Sequence, residues 1–237
     1  MMKPRLPSAP PTHPPLPPDT FLFERQLYQA GSVRVAGVDE AGRGPLAGPV
    51  VAACVILPCQ GDHRCFKDSK LLSPRQRSLL FEALQGNGAL IGVGLADPRE
   101  IEQINILQAS LLAMKRAMID CGVRNDGQEP DALLVDGRFQ VPVAVSQLTL
   151  VKGESKSCSI AAASIVAKVT RDRIMAACHQ QYPQYGFLRH QGYPTKEHRQ
   201  AISRYGPCPL HRRTFRGVRE FLDTNESLPA VGLQSLW

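Results

Sequence analysis

Apolar residues along this chain come in short blocks whose period changes, and the changes mark out its elements. Residues 33–39 and 50–57 are nearly continuous apolar runs, read as two strands joined by a glycine-rich turn. Residues 59–72 are polar. Ser73-Pro74 then supplies a cap followed by proline, so a helix is predicted to run to about residue 85. Residues 89–96 read as a third strand, bounded by Gly86-Asn87-Gly88 and Asp97-Pro98. Ile104, Leu107, Leu111, Met114 and Met118 recur at helical spacing, which predicts a helix over 104–121 stopped by Gly122. Short apolar runs at 132–136 and 144–151 give a fourth and a fifth strand. Helices are predicted over about 157–179, 196–205 and 214–223. Three closely connected strands followed by alternating helices and strands imply a mixed five-stranded sheet flanked by helices. This is an α/β architecture with a C-terminal helical extension.

Composition changes the picture at the two ends. Residues 1–20 are proline-rich with few apolar side chains and are expected to form a disordered tail. Residues 224–237 read as a loose tail, which leaves 21–223 as one domain. The net charge of +7 over 237 residues favours an anionic partner, with nucleic acid first. The seven cysteines include no Cys-x-x-Cys, so reduced, mostly buried thiols are expected rather than a zinc site. No apolar run approaches the ~20 residues of a membrane helix, and the N-terminus lacks the apolar core of a secretory signal. No membrane association and a cytoplasmic location are therefore expected. Walker-type phosphate loops, His-Glu-x-x-His and a serine triad are absent from the sequence.

Candidate chemistry sits at the strand ends. Asp39 and Glu40 stand side by side where the first strand stops, and Asp136 stands at the end of the fourth. Unpaired buried charge costs several kcal/mol, so a chain that gathers carboxylates there is expected to neutralise them with a hard cation, Mg²⁺ or Mn²⁺. A fourth acid is expected. Glu154, just past the fifth strand, is preferred, and Asp172, flanked by two arginines, is its rival. Gly42, Arg43 and Gly44 follow the acids directly and suit close approach to a ribose. Among the aromatics at 182–195, Tyr193 is singled out, the other tyrosines being expected to pack against the core. Lys67, Ser69 and Lys70, with Lys152 and Lys168, are candidate phosphate contacts. His211-Arg212-Arg213 with Arg216 forms a basic cluster suited to tracking a nucleic-acid backbone.

In this order, several stretches resemble the ribonuclease HII family, the type 2 ribonucleases H of bacteria. They are the run from Val35 through Asp39-Glu40-Ala41-Gly42-Arg43-Gly44 to Val50, then Asp68-Ser69-Lys70, Leu134-Val135-Asp136-Gly137, Val151-Lys152-Gly153, 160–172, Tyr185-Gly186-Phe187 and Gly192-Tyr193-Pro194-Thr195. The resemblance spans about residues 33–221 and implies an RNase H-like fold. It implies cleavage of the RNA strand of RNA–DNA hybrids and incision 5′ of single ribonucleotides embedded in duplex DNA. The ends left would be a 5′-phosphate and a 3′-hydroxyl. It assigns Mn²⁺ or Mg²⁺ to Asp39, Glu40 and Asp136, and the fourth catalytic acid to Glu154, where the family usually has Asp. It assigns sensing of the ribose to Gly42, Arg43, Gly44 and Tyr193. Ribonucleotide excision repair, DNA replication and a monomeric state follow from the same resemblance. The short proline-rich lead favours type 2 over type 3, whose members carry a folded N-terminal domain. Residues 233–237 resemble peptides that dock on DNA sliding clamps, although their spacing departs from that pattern. A related metal nuclease cutting all-DNA substrates and a binding module without catalysis are the competing readings.

Overall fold

The computed structural model describes residues 19–66 and 69–222. Of the expected tails, residues 1–18 of 1–20 and all of 224–237 lie outside the described residues, the clamp-like end included, and so does Lys67. Among the described residues five strands form one sheet: β1 (Val35–Ala41), β2 (Val50–Ile56), β3 (Leu90–Ala96), β4 (Ala132–Asp136) and β5 (Ser146–Leu150). Their order is β3-β2-β1-β4-β5. β1, β2 and β3 pair antiparallel, whereas β4 joins β1, and β5 joins β4, in parallel. The helices are α1 (Leu22–Gln29), α2 (Pro74–Gly86), α3 (Pro98–Arg124), α4 (Cys158–Gln181), α5 (Phe187–His190) and α6 (Lys196–Tyr205). None is long and apolar enough to cross a membrane.

Alternation along the strands divides the core between two faces. Ala36, Val38, Cys54, Leu133 and Val135 pack with Ala109, Ala113 and Ala117 of α3. On the other face Ala53 and Val55 meet Phe81 and Leu84 of α2 and Ala162 and Ile165 of α4. All seven residues of β2 are buried. Each large apolar side chain buried is worth about 1.5–3 kcal/mol, so slipping a strand by one residue would cost many times that. This fixes the register, and with it where each strand end falls.

The predicted elements recur with four differences. α2 starts where expected, on a reciprocal cap in which Ser73 Oγ accepts from the Gln76 N–H and Gln76 Oε1 from the Ser73 N–H. α3 begins earlier, on an Asp97–Glu100 capping box, and kinks at Asn105 (φ 67°, ψ 166°). There Asn105 Oδ1 accepts from the N–H groups of Leu107 and Gln108, recapping the helix in mid-course. The predicted start at 104 is this second cap. β5 is shorter than the 144–151 run. α5 falls within a stretch read as an aromatic loop. The predicted helix at 214–223 does not form, and only a single 3₁₀ turn, Arg219–Phe221, is present. Phe215 and Val218 gave that segment a helical spacing, but Gly217 adopts φ +98° and turns the chain. All seven cysteines are free, five of them buried.

Candidate active site

Neighbouring parallel strands bring the first two acids together. Val38 pairs with Val135, so the next residues along, Asp39 and Asp136, stand side by side, Asp136 at the end of β4 and Asp39 two residues before the end of β1, which runs on past the predicted stop at 39. Asp39, Glu40, Asp136 and Glu154 line one cleft of about 270 Å³. Gly42, Arg43, Gly44 and Tyr193 line it too, with Ser69 and Lys70. Asp172 is not among the lining residues and forms an ion pair with Lys168 at 2.6 Å on the surface of α4. Lys152 is exposed on the turn before Glu154, whereas Lys168 reaches the cleft.

Glu154 enters the cleft because of the local backbone. Lys152 adopts a left-handed conformation (φ 57°, ψ 45°), and the chain then makes a 3₁₀ turn, Gly153–Ser155. The Gly153 N–H donates to Asp136 Oδ1 at 2.6 Å. A Cβ on Gly153 would lie 2.6 Å from Ile160 Cδ1 and 3.2 Å from Asp136 Oδ1, so a larger residue would have to push both side chains aside for this turn to close on β4. Glu154 is 8 % exposed. Its Oε1 accepts from Lys70 Nζ at 2.7 Å, and its Oε2 lies 3.0 Å from the Ser164 hydroxyl, which lies 2.6 Å from Ser69 Oγ.

The acids are only partly compensated by the protein. Burial, then the charges of Glu40, Asp136 and Glu154, raise the Asp39 carboxyl well above its ordinary pKa. One backbone bond, from the Glu40 N–H at 2.7 Å, opposes them. Burial also raises Glu40, and Arg43 Nη1, 3.1 Å from its Oε1, pulls it back. A cleft that suppresses ionisation of its own carboxylates suits a hard divalent cation, because oxygen donors are what Mg²⁺ and Mn²⁺ take. As the side chains stand, no group of three or more His, Cys, Asp or Glu among the described residues is placed to hold a metal ion. That agrees with Glu40 being turned to Arg43 and Glu154 to Lys70, and with the preference of Mg²⁺ to keep several waters.

The glycine turn is shaped from beneath. Gly42 has φ +97°, and a Cβ there would lie 2.1 Å from Arg171 Nε. Gly44 faces open space, with Tyr193 Cε1 as the nearest atom, 3.9 Å from where its Cβ would be. Tyr193 is 41 % exposed, whereas Tyr185 is buried. The expected basic cluster is corrected here. His211 and Arg212 are 1 % and 0 % exposed and so cannot track a nucleic-acid backbone, and only Arg216 of that group is well exposed. Sequence reasoning also missed Arg77 and Ser164 in the lining. Ser164 left one usable signal, a hydroxyl in an otherwise apolar Ala-Ala-Ala-Ser-Ile-Val run.

Comparison with known proteins bears on the family and the fold. The family model described as Ribonuclease HII matches residues 36–218. A ribonuclease HII of Desulfotalea psychrophila is 56 % identical over 89 % of this chain and 93 % of its own length. One of Geobacter sulfurreducens is 54 % identical over 86 % and 92 %. Among solved structures, ribonuclease H2 of Pyrococcus horikoshii superimposes with a TM-score of 0.63 at 29 % identity, over 80 % of this chain and 97 % of that one. An RNase HIII solved in complex with Mn²⁺ shares the fold, with a TM-score of 0.66 at 20 % identity over 81 % and 70 %.

Proposed function

The chain belongs to the ribonuclease HII family and is a metal-dependent ribonuclease H, and on that premise we propose its substrates and mechanism. It cuts the RNA strand of RNA–DNA hybrids and incises 5′ of a single ribonucleotide embedded in duplex DNA, leaving a 5′-phosphate and a 3′-hydroxyl. The observation that carries this reading is one cleft lined both by the acids Asp39, Glu40, Asp136 and Glu154 and by the 42–44 turn with Tyr193.

Asp39, Glu40 and Asp136 would hold Mg²⁺ or Mn²⁺, with Glu154 as the fourth acid. When bound, two such ions supply an activated water for in-line attack on phosphorus and stabilise the departing 3′ oxygen. The chain's own residues do the rest. Gly153 fixes the Asp136 carboxylate through its N–H. Lys70 and Ser164 hold Glu154. Gly44 leaves room beside Tyr193 for a ribose, whose 2′-hydroxyl separates RNA from DNA. Lys70, Ser69 and Arg43, and Lys67 outside the described residues, would contact phosphates. The enzyme would act as a cytoplasmic monomer in the removal of ribonucleotides from DNA, in repair and at replication.

The test is a duplex with one internal ribonucleotide beside its all-DNA twin, each with and without Mg²⁺. A metal-dependent nick 5′ of the ribonucleotide in the first duplex alone is expected. Equal cutting of the all-DNA twin, or no nick with Mg²⁺ or Mn²⁺, would overturn the reading.

A further inference from the structure

We propose that His211 and Arg212, adjacent residues of the C-terminal segment, are positioning residues that lock the 42–44 turn and Tyr193 into one ribose reader. The proposal rests on the functional reading above, in which those two elements face the ribose.

Arg212 holds the first element. Its Nη2 donates to Gly42 O at 2.5 Å and Gly48 O at 2.9 Å, its Nη1 to Arg43 O at 2.8 Å, and its Nε to Gly48 O at 3.0 Å. The backbone repeats the attachment, with Arg212 N–H donating to Leu46 O and Gly48 N–H to Leu210 O, both at 2.8 Å. These bonds have a directional consequence. No peptide among the described residues is cis, so the N–H following each carbonyl points the opposite way. With the carbonyls of Gly42 and Arg43 bound to Arg212, the N–H groups of Arg43 and Gly44 point away from it, and both residues line the cleft. Arg212 thereby aims two backbone donors. Arg171 reinforces the same loop, through Pro49 O at 3.0 Å and Ala47 O at 3.1 Å, and ties it to Gln191 O at 3.0 Å, two residues before Tyr193.

His211 holds the second element through His198. The Tyr193 carbonyl can only accept, so His198 Nδ1, 2.9 Å away, donates to it. In a neutral ring His198 Nε2 is then an acceptor, and His211 Nε2, 3.1 Å away, must donate. His211 Nδ1 is left as an acceptor, and it receives the Cys208 N–H at 3.0 Å. One consistent set of tautomers thus runs from Cys208 to Tyr193. Burial keeps both rings neutral, lowering the His198 pKa to about 4 and that of His211 to about 3. A guanidinium taken wholly out of water costs several kcal/mol, and an apolar side chain would fill the same space without that cost. What the apolar residue lacks is the fork that orients three carbonyls at once.

The experiment compares the full-length wild type with Arg212→Lys, which keeps the charge and loses the fork, and with His211→Gln, which breaks the relay. For each, kcat and KM are measured with Mg²⁺ on the single-ribonucleotide duplex and on a uniform RNA–DNA hybrid, at a fixed interval below its own melting temperature. A lone ribose offers one productive register, whereas a hybrid offers many. The ratio of kcat/KM between the two substrates is therefore expected to fall about tenfold in each variant, mostly through KM on the single-ribonucleotide duplex. If Arg212→Lys does not fold, His211→Gln carries the test by the same ratio. An unchanged ratio in every folded variant overturns the proposal even when total activity drops. Wild-type incision at the single ribonucleotide tests the underlying reading separately, and its absence removes both.

Discussion

The acid cleft and the cationic layer beneath the 42–44 turn both bury charge, and they handle it in opposite ways. Arg171 and Arg212 are fully buried, and among the described residues every hydrogen bond from their side chains goes to a backbone carbonyl, three and four bonds respectively. Asp39 is 5 % exposed, accepts one backbone bond, and is surrounded by three further carboxylates that disfavour its ionisation. The cationic layer has its hydrogen bonds complete as folded, although burial and the neighbouring Arg171 still weigh against the Arg212 charge. The acid cleft has no such set of partners and calls for a cation from outside the chain. Buried charge that the protein satisfies itself marks architecture, and buried charge left to repel itself marks a site for a ligand.

Replacing Asp136 by Asn should break this comparison most sharply. The amide oxygen still accepts from Gly153, so the turn that presents Glu154 survives, but the negative charge is gone. Turnover is expected to fall by at least about 10³-fold, with duplex binding and melting temperature nearly unchanged. Single-turnover cleavage and fluorescence anisotropy would measure the two separately. Unchanged turnover would remove Asp136 from the mechanism. Arg212 is expected to behave in reverse, with truncation costing stability first.

Glu154 gives the next effect. Glu154→Gln keeps the length but loses the ion pair with Lys70, and a roughly tenfold loss of kcat is expected. Glu154→Asp keeps the charge but shortens the reach to Lys70 and Ser164, so a change of only a few-fold is expected. A tenfold loss in the Asp variant, with little loss in Gln, would mean that Glu154 acts through its length and not its charge.

The two regions also differ in how far they could be read from the chain. The Asp39-Glu40 doublet is visible because adjacent acids after an apolar run make poor structure, and the strand pattern predicted Asp136 at a matching end. Glu154 was already preferred to Asp172 in the sequence, but how it enters the cleft, through the left-handed Lys152 and the Gly153 contact, is something spacing does not encode. The cationic layer was misread altogether. Arg212 meets carbonyls as far as 170 positions away in sequence, and nothing local distinguishes it from exposed Arg216. Charge type predicts a surface by default, and only the fold shows which charges were taken inside. β1, β2 and β4 were legible because burial on both faces leaves them almost continuously apolar. The segment at 214–223 was not, since one glycine with positive φ outweighed its helical spacing.

The smallest expected effect sharpens the comparison through stability alone. The folded chain holds the Asp39 proton more tightly than the unfolded chain, where the pKa returns to its ordinary 3.8. Between those two values the native state binds more protons, so stability without metal falls as pH rises through that window and does not recover above it. Asp39→Asn removes the titrating group together with its repulsion. In EDTA the variant should therefore melt a few degrees above wild type near pH 7, since about 1 kcal/mol moves the melting temperature by roughly 2–4 °C in a chain of this size. The gap should narrow towards pH 4, where wild-type Asp39 is protonated. Added Mg²⁺ should raise the wild type more than the variant, because a cation relieves the same repulsion. A variant less stable than wild type at pH 7 without metal would mean that the Glu40 N–H bond outweighs the crowding of carboxylates, and that Asp39 belongs with the arginines as a group the fold itself satisfies.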